Sequence, residues 1–477
     1  MRPVVGFDLD LTLVDSADGI VATFVEMARR LETDVDPEAV RALIGVPLEA
    51  TCEALLPPHL VADGVRTYRE LYPTIGVPDI TLLPGAAEAV SAVNRHGGRV
   101  VVVSAKIEPA VLAVLDHVGL EVDDAVGGMF AEAKGLALRE YGASAHVGDH
   151  PADMIGARAA GAVAVGVTTG SHDVAALERA GADVVLTDLR AFPQWLDEHV
   201  LEARLAALEA HLQTLGSVVV AFSGGADSAF LLGAAVRALG PDRVLAATAV
   251  SPSLPRRELL AAREFADGLG VRHVSPRTDE MAREGYRAND GDRCYFCKAE
   301  LLDVLVPLAQ REGFTHVATG TNADDAVGGF RPGIRAAAER GAATPLKDAG
   351  LTKAQVREAS RRWKLSTWDK PAAACLSSRV AYGVQITPAR LARVDRAETA
   401  LRAALASAGV RAHNMRVRDL GDVARIEVDR DLASRVASLP EATAAVRAVG
   451  FDDVHVDPVG FRSGSMNELL PDPTRWR

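Results

Sequence analysis

Cysteine is scarce in this 477-residue sequence, with only four, too few for a disulfide scaffold. Aromatic residues make up just 5%. Positive charge is in deficit: 52 Lys+Arg against 64 Asp+Glu leave a net charge of −12. Such a chain lacks the global positive field of a general nucleic-acid binder, although a local basic groove stays compatible with it. No run of roughly eighteen apolar residues free of charge is present, so no membrane span is expected. The opening MRPVVGFDLD lacks the long apolar core of a signal peptide, which makes a cytoplasmic protein the expectation. Internal repeats and low-complexity tails are absent as well. What the chain does have is a 48% hydrophobic and 24% charged composition. That is ample for large cores and excludes disorder over most of the length. Its length predicts two or three domains.

Short apolar runs alternate with helix-period stretches. Val4–Phe7, Arg99–Val103, Ala145–Val147, Val163–Val167 and Val184–Leu186 read as buried strands, with helical stretches such as Gly85–Arg95 and Glu108–Val118 between them. This rhythm predicts an α/β fold on a parallel sheet. Residues 17–79 interrupt it with helix-period sequence and read as an inserted helical cap. A helical stretch over 194–215 marks a junction near residue 200. A second α/β series follows, with strands expected over 217–222, 243–250, 272–275 and 316–319. From about Ile386 a helix (388–406), two strands (414–418, 423–428), a helix from 431 and a strand (453–456) predict a small α+β module. The expected domains are therefore 1–198, 199–385 and 386–477.

Asp8-Leu9-Asp10-Leu11-Thr12 follows the first strand, where ligands bind in open parallel sheets. Carboxylates at i and i+2 can share one site, one attacking phosphorus and the other trading protons with the leaving group. Ser104 ends another strand, Lys134 lies in AEAKG, and Asp149 and Asp153 lie in GDHPAD. Ser and Lys can hold a phosphoryl group, and the acidic pair can complete a Mg²⁺ site with Asp8. Any one of these alone reads as a cap or a surface carboxylate. Four in this order, three directly after apolar runs, do not. Residues 3–190 resemble the haloacid-dehalogenase-like hydrolase superfamily, and the cap resembles that of its phosphoglycolate-phosphatase-like members. The resemblance implies an aspartyl-phosphate intermediate on Asp8, acid/base work by Asp10, and Mg²⁺ held by Asp8, Asp10, Asp149 and Asp153.

In the second half a strand runs into Ser223-Gly224-Gly225-Ala226-Asp227-Ser228 and then a helix. Glycines admit phosphate close to the backbone, the helix start offers free N–H groups, and the serines add hydroxyls. A Walker A ending is missing. Asp227 suits a Mg²⁺ or pyrophosphate site, and Thr319–Asp325, after another strand, offers Thr321 and Asp324 to the nucleotide. This context resembles the PP-loop ATP pyrophosphatases, which adenylate an oxygen of their substrate and release pyrophosphate.

Three cysteines fall here: Cys294 and Cys297 in Cys-Tyr-Phe-Cys, and Cys375. Cys52, isolated in the cap, reads as a small buried hydrophobe. A Cys-x-x-Cys pair can be a redox pair, half a zinc site or part of a cluster site. A fourth zinc ligand would have to come from His273 or His316, which read as core or strand-end residues. Three thiolates leaving one iron open form a coherent alternative. The stretches Asn289–Lys298, Arg331-Pro332-Gly333, Pro345-Leu346, Ala349–Lys353 and Trp368–Arg379 together resemble the ATP-dependent sulfur transferases of nickel-pincer cofactor synthesis, the LarE family, over residues 205–470. The resemblance implies adenylation of a carboxylate on a pyridinium mononucleotide, followed by displacement of AMP by sulfur. Some members sacrifice the sulfur of a cysteine at the Cys375 position. Others ligate a [4Fe–4S] cluster with three cysteines, and the presence of all three here favours the cluster. The resemblance also implies a homo-oligomer.

Arg379, Arg416 and Arg418 are candidate anchors for the substrate phosphate, the last two sharing a strand face. Asp369 and Lys370 are candidates to shape the field at Cys375, while Trp363 and Trp368 read as packing. A tRNA thiolation enzyme, an amide-forming ligase and a redox-sensing binding protein are the rivals. Net acidity opposes the first, the cysteine triad the second, and the intact SGGADS and aspartate motifs the third. For the fused hydrolase the candidate substrates are pyrophosphate, a pathway phosphate ester, or an unrelated ester such as phosphoglycolate.

Overall fold

The computed structural model describes residues 2–327, 332–371, 374–462 and 465–466. Arg331, Ala372 and Ala373, which belong to the motifs quoted above, lie outside the described residues. The chain forms two compact units, Met1–Val200 and Leu201–Arg477. Helix Phe192–Leu215 spans that boundary: Phe192, Leu196 and Val200 join the core of the first unit, and Leu201, Leu208 and Leu212 that of the second.

In the first unit the valine-rich runs become β1 (Val4–Phe7), β2 (Arg99–Val103), β3 (Asp124–Val126), β4 (Ala145–Gly148), β5 (Val163–Val167) and β6 (Val184–Leu186). They pair in the order β3-β2-β1-β4-β5-β6, all parallel. Phe7 lies opposite Val102 on one side and Val147 on the other. The order reverses between β1 and β4, and in such sheets the crevice beyond the strand ends at that point receives the ligand. The cap consists of helices Ala17–Arg30, Pro37–Ala42, Leu48–Leu55 and Val61–Ile75. A two-stranded antiparallel ribbon, Val14–Asp15 with Thr81–Leu82, ties its entry to its exit. Cys52 is fully buried in this cap, and burial pushes its thiol up to about 11, as suits a packing residue.

The second unit repeats the logic with four parallel strands, β7 (Val218–Ala221), β8 (Val244–Ala247), β9 (His273–Val274) and β10 (His316–Thr319), in the order β9-β8-β7-β10. The switch point lies between β7 and β10. Its C-terminal part carries β11 (Met415–Asp419), β12 (Val423–Val428) and β13 (Asp453–Val456). β11 runs antiparallel to β12, and β12 parallel to β13. Helices Pro388–Ser407 and Pro440–Arg447 cover this sheet with a core of Leu401, Leu405, Ala442 and Val446. The single helix expected from 431 divides into a 3-10 turn at Arg430–Leu432 and helices Ala433–Ala437 and Pro440–Arg447. Pro440 cannot donate to a preceding turn, so it starts a new helix.

Candidate active sites

All the polar residues singled out in the first unit converge at the β1/β4 switch point. Asp8 and Asp10 leave β1, Ser104 leaves β2, and Asp149 and Asp153 leave β4; Asp8, Asp10, Ser104, Lys134, Asp149 and Asp153 are all buried. Leu11 takes φ +57°, a sparsely used backbone for a non-glycine residue. It closes the tight turn in which Leu13 donates its N–H to the Leu9 carbonyl at 2.9 Å. Lys134 donates to Asp8 at 2.7 Å and to Asp153 at 2.5 Å, and Thr12 donates to Asp149 at 3.0 Å. Asp153 does double duty, since its other oxygen accepts the His150 N–H at 3.1 Å and caps helix Pro151–Ala160. A Cβ at Gly170 would lie 1.8 Å from an Asp149 oxygen, so only glycine lets that loop pass.

Oxygens of Asp8, Asp149 and Asp153 lie within 4.8 Å of one another. Three buried carboxylates thus lie together with one lysine bonding two of them, and the excess negative charge shows in their protonation. Burial, with Asp153 and Asp10 nearby, pushes Asp8 up to about 7 against the pull of Lys134. Burial and the neighbouring Asp8 and Asp153 push Asp149 up as well. Asp153 is also buried, yet Lys134 and His146 outweigh that and hold it below the ordinary range. An all-oxygen donor set with surplus negative charge fits Mg²⁺. The Asp10 side chain does not join this trio. Its carboxylate accepts from Ser16 at 2.6 Å and pairs with Lys106 at 3.1 Å, outside the trio. Lys106 was missed by the sequence reading, although it lies only two residues past Ser104; its backbone N–H also donates to the Ser104 hydroxyl at 3.2 Å.

In the second unit SGGADS joins β7 to helix Ala226–Leu239, whose first turn has no side-chain cap and leaves its N–H groups for a ligand. The Ser223 and Ser228 hydroxyls meet at 3.1 Å. Asn322, buried after β10, donates to Asp227 at 3.2 Å, whose carboxyl burial pushes up against the opposing Lys353 and Asn322. A cavity of about 340 Å³ is lined by Ser223, Gly225, Asp227, Ser228 and Thr321, and also by Cys297 and Cys375. Gly224 turns its carbonyl away to accept from Lys370 at 2.8 Å, and the same ammonium bonds Glu258 at 2.8 Å. Asp324 does not line the cavity as expected. It is exposed and accepts the Lys353 N–H at 2.8 Å, while its neighbour Asp325 takes the cavity position.

Separate hydrogen bonds draw the two cysteine segments together. Asn289 donates to the Ala381 and Val384 carbonyls at 2.8 and 2.9 Å, Arg293 to the Ser377 carbonyl at 3.0 Å, and the Tyr286 and Ser377 hydroxyls meet at 2.5 Å. Cys294 and Cys297 sit one turn apart on helix Arg293–Arg311, the former exposed and the latter half-buried. Burial, then Cys375, Glu280 and Cys294, push the Cys297 thiol far above the usual range. Ligands of a single tetrahedral zinc ion at 2.3 Å stand about 3.8 Å apart. Among the described residues the trio tight enough for one ion is the aspartate one. Cys297 and Cys375 line one cavity, and Cys294 lies one helical turn from Cys297. His273 pairs with Thr248 and His316 with the Leu215 carbonyl, so both serve their strands.

Of the three expected phosphate anchors, Arg379 and Arg416 line a second cavity of about 340 Å³ together with Arg257, Arg402, His413 and Lys370. Arg379 also bonds Glu398 at 2.9 Å and the Cys375 carbonyl at 3.1 Å. Burial and Arg379 push Arg416 down to about 10. Arg418 is a correction: its guanidinium is consumed by Glu427 at 2.7 Å, the Ser378 carbonyl and Ser465. Asp369 is exposed. Trp363 stacks on Phe230 with ring centroids 4.8 Å apart, which is packing as expected.

A family model described as haloacid dehalogenase-like hydrolase matches residues 5–128, and one described as HAD-hydrolase-like matches residues 126–192. An uncharacterized protein of Synechocystis sp. is 41% identical over 274 residues, 57% of this chain and 99% of that protein. Pyridinium-3,5-bisthiocarboxylic acid mononucleotide synthase of Lactiplantibacillus plantarum is 33% identical over 272 residues, 57% of this chain and 96% of the synthase. The "Probable phosphatase IndB" of Dickeya dadantii is 34% identical over 206 residues, 39% of this chain and 90% of that protein.

Proposed function

For a chain that belongs to the haloacid dehalogenase-like hydrolases in its first part and to the pyridinium-3,5-bisthiocarboxylic acid mononucleotide synthase family in the remainder, we propose a bifunctional enzyme. Its second unit transfers sulfur, at the expense of ATP, to a carboxylate of a pyridinium mononucleotide in nickel-pincer cofactor synthesis. Its first unit is a Mg²⁺-dependent phosphohydrolase.

The observation that carries the first activity is that Cys297 and Cys375 line the same cavity as the SGGADS turn. A carboxylate adenylated there lies within reach of sulfur. The uncapped helix start and the serines hold the phosphates, with Asp227 beside the pyrophosphate. Arg416, with Arg257 and Arg402 beside it, holds the phosphate of the mononucleotide. Arg379 acts mainly by clamping the Cys375 backbone. Breaking its buried pair with Glu398 costs about 3–5 kcal/mol, so Arg416 is the better residue with which to probe substrate binding. A cluster held by Cys294, Cys297 and Cys375 would supply a labile sulfide as the nucleophile.

In the first unit Asp8 attacks phosphorus, Lys134 keeps that carboxylate oriented, and Asp10, positioned by Ser16 and Lys106, passes a proton to the leaving oxygen. Mg²⁺ held by Asp8, Asp149 and Asp153 would offset phosphoryl charge. The reading makes the protein a cytoplasmic homo-oligomer acting on small molecules, with neither nucleic acid nor membrane as partner.

Pyrophosphate release from ATP by the full-length protein is the test. We expect it to require the pyridinium mononucleotide and to be absent with tRNA or simple amines. Release driven by tRNA would replace this reading with tRNA thiolation, and release driven by amines would replace it with an amide-forming ligase.

A further inference from the structure

The first unit has a cavity between its aspartate site and the cap. Asp8, Asp10 and Ser104 form one end. The cap supplies Phe24, Val40, Ile44, Tyr68 and Tyr72, all of them buried. The volume is about 190 Å³. An apolar cavity of about 150 Å³ admits benzene, so one substituted ring fits.

The cavity offers little to a second anionic group. Two of its lining residues are cationic, Lys106 and Arg69, and both are engaged. Lys106 pairs with Asp10 at 3.1 Å and sits 4.4 Å over the Tyr72 ring. Arg69 pairs with Glu49, which lines the cavity too. A carboxylate or second phosphate on the leaving group would lose water to the apolar walls and would have to draw Lys106 from Asp10 or Arg69 from Glu49, a cost that a neutral ring does not incur.

Resting on the phosphohydrolase reading, we propose that the first unit selects a phosphate monoester whose alcohol carries one ring-sized apolar or aromatic group and no further anion. Pyrophosphate and phosphoglycolate, small and anionic at both ends, are then poor substrates. The fused domain thus does not serve to pull adenylation forward by destroying pyrophosphate.

Steady-state phosphate release by the full-length protein with Mg²⁺ tests this, comparing benzyl phosphate, phosphoglycolate and pyrophosphate. The expected kcat/KM for benzyl phosphate exceeds the other two by about tenfold or more. Leu43→Lys and Val46→Lys, at half-buried cavity positions, should each narrow that ratio by lowering benzyl phosphate and raising phosphoglycolate. Asp8→Asn should abolish all release. A wild-type preference for phosphoglycolate or pyrophosphate that Asp8→Asn abolishes would overturn the specificity and leave the hydrolase reading standing. Absence of any Asp8-dependent release would overturn the hydrolase reading, and the specificity with it.

Discussion

Single side chains in both sites are held away from their ordinary protonation by their surroundings. Around Lys134, folding holds Asp8 and Asp149 above the ordinary carboxylate range and Asp153 below it. A raised folded pKa favours the protonated form, so the stability due to Asp8 is present at low pH and is lost as pH rises from about 4 through about 7. A cation bound there must displace those protons. Mg²⁺ should therefore raise the melting temperature of the protein more at pH 8 than at pH 5.5, as measured by scanning calorimetry. An equal rise at both would contradict a shared carboxylate site. At the thiols the asymmetry is one of exposure: Cys294 is exposed, while Cys297 is raised by burial. In chelator-treated, reduced protein at pH 7.5, iodoacetamide followed by peptide mass spectrometry should label Cys294 about tenfold or more faster than Cys297, because the thiolate is the reactive form. Labelling of Cys297 at least as fast as Cys294 would refute the buried, protonated thiol.

At the scale of elements, both sheets place their chemistry at strand ends beside a switch in strand order. This was legible because Val4–Phe7, Ala145–Gly148 and Val218–Ala221 are short, largely apolar runs that lead into Asp8, Asp149 and the SGGADS turn. The partners of individual side chains were not. Arg416 and Arg418 alternate correctly along β11, and the register sets Glu427 opposite Arg416, yet it is the diagonal neighbour Arg418 that Glu427 binds. Asp324 and Asp325 are adjacent at a helix start, where one residue of rotation separates solvent from cavity, and sequence spacing does not set that phase. Nor does spacing show that Lys370, reading as a neighbour of Cys375, ties that segment to Gly224 and Glu258. Lys370→Met should cut thiocarboxylate formation on the order of tenfold or more while changing pyrophosphate release far less, because misplacing a reacting group slows its attack. Equal loss of both products would move Lys370 into ATP binding instead.

At the scale of the molecule, each compact unit has its own candidate site, the carboxylate trio in the first and the SGGADS cavity in the second. Asp8→Asn should leave sulfur transfer intact, and Cys375→Ala should leave phosphate release intact, each followed in the full-length chain. Loss of both activities in either variant would show that the sites depend on one another.

The most direct measurement is mass spectrometry of the mononucleotide after anaerobic incubation of full-length protein with ATP and Mg²⁺. Wild-type protein should exchange one carboxylate oxygen for sulfur. Cys297→Ala and Cys375→Ala should still release pyrophosphate but give no sulfur-containing product. Sulfur incorporation undiminished in both variants would contradict the claim that these thiols, set beside the SGGADS turn, deliver it.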